Sequence, residues 1–282
     1  MNKGPDYIIR KWYPIFFVFL IISGYTNVTS ADLILTAPPR EPAKKGMELY
    51  GPLAQRLTQV LGEKVVYMHP RNWLAYQHDM RADKYDIIFD GPHFISWRTK
   101  NKGHTPVLKL PGALQFYIIT RAGNDKVAKA ADLVGKRICG IAPPNLGTLS
   151  VYSAFPHPAR QPVIVPVKGG MIKVFQAFVA GRCDAAVLRT KVLDKKLSDE
   201  QRKSVKIIHT SQAMTNQGIS VSKRVNEKAR NAITAALSKG DRIPATKGIL
   251  KRFGGKAKAL LPATKEDYDG YHKLIQGVIF GW

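Results

Sequence analysis

From residue 32 onward the chain alternates short apolar runs with longer stretches whose apolar residues recur every three or four positions. Short runs bounded by turn residues read as buried strands, and the helical spacing reads as amphipathic helices lying on a sheet. Leu33 to Ala37 is the first strand. Leu49, Leu53, Leu57, Val60 and Leu61 then share one helical face, which Gly62 ends. Lys64 to Met68 is a second strand, Asn72 caps a helix through Met80, and Tyr85 to Phe89 is a third strand.

The same order returns at a spacing of about one hundred residues, too few copies for a solenoid. Strand Arg137 to Ala142, a helix from about Leu146, strand Val163 to Val167, helix Met171 to Ala180 and strand Cys183 to Leu188 follow one another. The two third strands are alike: "DKYDIIFDG" and "AGRCDAAVLR" each set an aspartate before an apolar run. Alternating strands and helices imply an α/β fold of two lobes, each a mainly parallel sheet flanked by helices. The extended stretch 113–123 and the stretches "VKIIHTS" and "NQGISVS" read as two crossing strands that form a hinge. Lobe one then comprises 32–117 plus 213–282, and lobe two comprises 118–212. The remainder reads as helical over Val225 to Lys239, around Ile249 to Phe253, and from Lys265 to the end.

Residues 1–31 stand apart. Lys3, Arg10 and Lys11 precede an apolar run from Ile15 to Ile22, followed by Thr29-Ser30-Ala31. That is the pattern of a secretory signal peptide cleaved after Ala31. The run is far short of the ~20 residues a spanning helix needs, and no cysteine near the cleavage point offers a thiol for a lipid anchor. A soluble periplasmic protein is expected. In an oxidising compartment its two cysteines, Cys139 and Cys183, form either one bridge or two buried thiols, and both readings stay open.

The formal charge is +24, of which +22 remains once the three basic groups and one acidic group of residues 1–31 are set aside. Such a balance suits an anionic ligand, an anionic membrane surface or nucleic acid, but its plainest reading is a solvated basic surface. Export and the scattered placement of the basic residues argue against nucleic acid. His69 and His93 lack ligand spacing for a metal. No GxSxG elbow, Cys/His pairing or phosphate-binding GxxxxGK[ST] loop is present, so neither an enzyme nor a cofactor is expected.

In open parallel sheets a ligand sits outside the carboxyl ends of the strands. There stand Arg40 after the first strand, Trp73 after the second, Asp90 and His93 after the third, and Arg189 after the last strand of lobe two. "APPNLGTLS" sets Asn145, Thr148 and Ser150 around a helix start, whose free N–H groups and positive dipole end attract anions. The competing role for Asn145 is a simple cap, for Trp73 a place in the core, and for His93 a hydrogen bond within the first turn of a helix.

Six segments in this order carry a resemblance: "LILTAPPRE", "YGPLAQRLTQVLGEKVVYMHP", "KYDIIFDGPHF", "KRICGIAPPNLGTLS", "VKGGMIKVFQAFVAGRCDAAVLRT" and "LLPATKEDYDGYHKL". From Ala31 to the carboxyl end the chain resembles the phosphonate-binding proteins of ABC importers, a branch of the type 2 periplasmic binding proteins. The resemblance implies a monomeric hinged trap that captures a small phosphonate- or phosphate-type anion or zwitterion and delivers it to an ABC permease in the inner membrane. The phosphonate group would sit at the helix start represented by Asn145, Thr148 and Ser150. Alternatives are a module reporting the same ligand to a membrane receptor such as a histidine kinase, and an enzyme on the same fold. Two departures stand out: Leu146, Gly147 and Leu149 interrupt the usual hydroxyl-rich run, and Asp90 replaces an aromatic residue. Three roles are open to Asp90: to receive the ammonium group of a zwitterion, to orient one of the arginines of the cleft, or to cap the helix beginning at Pro92.

Overall fold

A computed structural model describes Met1, Gly4, residues 32–239 and residues 243–276. The expected signal peptide and the Gly281-Trp282 end lie outside the described residues. The described residues from Asp32 onward pack as one compact unit.

Lobe one begins with β1 (Leu33–Thr36), α1 (Ala43–Leu61), β2 (Val65–Tyr67), α2 (Trp73–Arg81), β3 (Ile87–Asp90), α3 (Pro92–Lys102) and β4 (Thr105–Lys109). The expected punctuation is in place. Gly62 ends α1 at φ 70°, a left-handed conformation that costs glycine little. Asn72 caps α2 by accepting from the Ala75 N–H at 2.8 Å. The strand β4 was hidden in the sequence by Pro106. Proline lacks a ladder donor and is tolerated at irregularities, and here it pairs with Ser220 where the register shifts.

The chain crosses at β5 (Ala113–Leu114) and builds lobe two from β6 (Phe116–Arg121), β7 (Arg137–Gly140), α4 (Leu146–Ala154), β8 (Val163–Pro166), α5 (Met171–Val179), β9 (Ala185–Arg189), α6 (Thr190–Lys196), α7 (Asp199–Lys203) and β10 (Val205–Thr210). It returns through β11 (Met214–Thr215), β12 (Gly218–Val221), α8 (Glu227–Leu237), α9 (Pro244–Ile249) and β13 (Leu261–Pro262). The crossings are shorter than the extended stretches suggested: among the described residues, β5 and β11 alone pair between the two main sheets, while "VKIIHTS" supplies an edge strand of lobe two. A continuous helix from Lys265 does not form. Two 3₁₀ turns, Glu266–Tyr268 and Tyr271–Leu274, flank Gly270 at φ 79°, which breaks the right-handed run.

The first sheet runs β13-β4-β12-β3-β1-β2 and the second β10-β6-β9-β7-β8. Each has a parallel core, β2-β1-β3 and β8-β7-β9, to which antiparallel strands are added, so both sheets are mixed. The repeated aspartates do the same work in both cores. Asp86 Oδ2 accepts from the Ile34 N–H and Asp184 Oδ2 from the Arg137 N–H, each at 2.9 Å, tying the third strand of its lobe to the first.

Cys139 in β7 and Cys183 just before β9 are joined as a disulfide, with their Cα atoms 5.6 Å apart. Between the lobes, Leu149 of α4 is buried with Tyr76, Ile88 and Phe94 of lobe one. Apolar contact at this point fixes the start of α4 opposite the strand ends of lobe one.

Candidate functional site

Between the two sets of strand ends lies a cavity of about 640 Å³. Lobe one contributes Arg40 from the loop after β1, Trp73 at the start of α2, Gly91, His93 and Phe94 at the start of α3, and Gln217, Arg252 and Phe253 from the returning chain. Lobe two contributes Phe116, residues 141–146, Gly169, Gly170, Met171 and Arg189. The starts of α3, α4 and α5 all open on this space. The first N–H groups of a helix have no partner inside it, so these starts favour negative charge; α3 contributes least, because it begins at Pro92, which has no N–H.

Two arginines set the electrostatics. Arg40 donates from Nη1 to Gln217 Oε1 at 2.7 Å, and its guanidinium lies 5.7 Å from the centre of the Phe253 ring. Its partner is neutral, so its charge is uncompensated by that bond. Arg189 ends β9, and its side chain has no hydrogen-bond or acidic partner among the described residues; burial pulls its pKa below the ordinary arginine value. Arg252 is held by Glu41 at 2.9 Å. None of the described residues lining the cavity is an aspartate or glutamate.

His93 is 3% exposed, and neither ring nitrogen has a hydrogen-bond partner. Burial, then the charge of Arg40, push its pKa down to about 3. The imidazole is therefore neutral at neutral pH, with one N–H to give and one lone pair to accept. Gly91 permits this packing, because a Cβ there would come within 2.8 Å of the ring. Trp73 lies beside Phe94, ring centres 6.2 Å apart and 26° from parallel, and forms an aromatic wall.

The sequence-derived candidates divide. Arg40, Trp73, His93, Asn145 and Arg189 line the cavity. Asn145 also caps α4, its Oδ1 accepting from the Gly147 N–H at 3.0 Å. Asp90, Thr148 and Ser150 are placed elsewhere. Thr148 is fully buried and donates its hydroxyl proton to the Ile141 carbonyl at 2.5 Å. Ser150, two positions further round the helix, donates to the Gly147 carbonyl and borders a different cavity with His209 and Lys273.

Asp90 is sealed from solvent. Its Oδ2 accepts from Tyr76 and from Arg98, each at 2.5 Å, and Arg98 also donates to the Tyr76 oxygen. The arginine it holds belongs to α3 and does not line the cavity, and α3 begins without a side-chain cap. The ammonium-receiving and helix-capping roles are thus both unfilled. Strand alternation contained the clue: Asp90 shares its sheet face with Ile88, which packs against Tyr76 and Phe94, and not with Phe89. Gln217, Arg252 and Phe253 carried no local signal, because they reach the cavity only through the long return of the chain.

A family described as "ABC transporter, phosphonate, periplasmic substrate-binding protein" matches residues 35–268. The chain belongs to this family. The phosphate-import protein PhnD of Mycolicibacterium smegmatis is 25% identical over 189 residues, which cover 60% of this chain; the chain spans 58% of that relative's length. Two solved structures share the fold. PhnD1 of Prochlorococcus marinus in complex with methylphosphonate aligns with a TM-score of 0.62 at 13% identity, covering 86% of this chain and 96% of that one. A Xanthomonas citri protein bound to ATP aligns at 0.67 and 11% identity, covering 87% and 96%. The fold is thus that of the type 2 periplasmic binding proteins.

Proposed function

We propose that this chain is the exported, ligand-capturing component of an ABC importer, holding a small phosphorus oxyanion between its lobes and presenting it to a membrane permease. The observation that carries this reading is the pair Arg40 and Arg189, contributed by opposite lobes to one cavity without carboxylates. A tetrahedral oxyanion presents oxygens in several directions. It can therefore accept charged hydrogen bonds from both lobes at once, each contributing about 1.5–3 kcal/mol. Such a ligand favours the closed arrangement over any in which the arginines are apart, which is what closure by a ligand requires. His93 and the unbonded N–H groups at the starts of α4 and α5 supply further donors.

The test is thermal unfolding of the purified protein with phosphate, phosphite, methylphosphonate and larger phosphonates. A ligand at one hundred times its Kd adds about 2.7 kcal/mol to stability by mass action. A rise in midpoint with at least one phosphorus anion, absent with chloride at equal ionic strength, supports the reading. No rise with any of them refutes it.

A further inference from the structure

The same cavity carries information about which phosphorus compound fits. Its size equals the liquid volume of roughly 20 water molecules, several times what one tetrahedral oxyanion fills. Beyond the arginines, part of its surface is aromatic or apolar: Trp73 on one side, Phe116 of β6 and Met171 of α5 from lobe two, and Phe253 beside Arg40. Aromatic walls of this kind repay burial of a flat or branched apolar group.

Charge in the cavity excludes one large group of phosphonates. An ammonium substituent placed here would face Arg40 and Arg189, with no lining carboxylate to receive it. Glu41, the residue after Arg40, is tied to Arg252 through Oε1, and Asp90 is tied to Arg98 and Tyr76 through Oδ2; the second oxygen of each is unpaired but buried, and neither residue lines the cavity. A desolvated cation beside like charges and without a partner is strongly disfavoured.

We infer that the cavity selects phosphonates or phosphate monoesters bearing an apolar, ring-sized substituent and no ammonium group. This rests on the reading of the cavity as the ligand site. The oxyanion bridges Arg40 and Arg189, and the substituent lies against Trp73, which Phe94 backs from the core.

Calorimetric titration of the purified protein with phenylphosphonate, methylphosphonate, 2-aminoethylphosphonate and inorganic phosphate tests the inference. The expected order is phenylphosphonate tightest, by about tenfold or more over methylphosphonate, with 2-aminoethylphosphonate below both. In Trp73→Leu the ratio of phenyl to methyl affinity should fall to within about twofold. If phosphate or 2-aminoethylphosphonate binds as tightly as phenylphosphonate, the inference is overturned while capture of phosphorus anions stands. If the phenyl preference survives Trp73→Leu unchanged, the aromatic wall is wrongly assigned. If none of the four binds, the ligand reading itself fails and the inference with it. The panel on the unmodified protein remains decisive should the variant not fold.

Discussion

Arg98 of α3 donates to Asp90 at the end of β3 across 2.5 Å, and the two side chains are 1% and 0% exposed. Tyr76 closes the network by donating to the same carboxylate oxygen and accepting from the guanidinium. Burial is the largest influence on the Tyr76 hydroxyl and holds its pKa well above the ordinary phenol value, so it stays protonated as the network requires. A charge-bearing bond of this kind ties the middle of α3 back to the end of β3.

Removing the charge from one partner leaves the other buried and uncompensated, which costs about 3–5 kcal/mol. Asp90→Asn should therefore lower the unfolding free energy by that amount, read from urea denaturation. It should leave the discrimination between amino-bearing and amino-free phosphonates unchanged. A variant of normal stability with altered preference for ammonium groups would return Asp90 to the ligand.

Arg189 presents the opposite case, since its guanidinium has no partner within the described protein. Arg189→Gln should weaken the binding of a phosphorus oxyanion by about 1.5–3 kcal/mol, roughly ten- to a hundredfold or slightly more. The unliganded midpoint should hold or rise slightly, because a half-buried unpaired charge is lost. Unchanged affinity by calorimetry would remove Arg189 from the site.

His93 makes the unliganded protein sensitive to acid. Its folded pKa of about 3 lies below that of an unfolded histidine, so the unfolded chain binds the extra proton first as pH falls. Stability from this group is full above about pH 6.5 and declines below it, reaching a loss of about 2 kcal/mol at pH 5. His93→Asn should abolish that part of the pH dependence. Urea unfolding at pH 7.5 and pH 5 of both proteins measures it, and an equal decline in the two would contradict this account.

Thr148 was expected at the ligand, but its hydroxyl is committed to the Ile141 carbonyl. Thr148→Val removes the donor to that half-buried carbonyl, so stability should drop by about 0.5–1.5 kcal/mol. Affinity measured at a temperature where the variant is fully folded should change by less than about threefold. A loss of tenfold or more with little loss of stability would show the hydroxyl turning to the ligand.

The sequence by itself determined the alternation of strands and helices, the two similar lobes and the strand ends at which Arg40, Trp73, His93, Asn145 and Arg189 stand. Each of these follows from local chemistry: an apolar period of two or near 3.6, a capping asparagine, a glycine beyond a helix. The tertiary structure alone decided which side chains remain available. Asp90 is drawn inward by Arg98, eight residues on and across a turn, while Thr148 and Ser150 spend their protons on nearby carbonyls. Gln217, Arg252 and Phe253 join the cavity because the returning chain adds β12 antiparallel to β3 and carries the turn after α9 to Arg40. Local pattern sets where a side chain starts, and a buried polar group then goes to whichever partner spares it an unpaired charge or donor. That partner is chosen by packing between segments far apart in the chain.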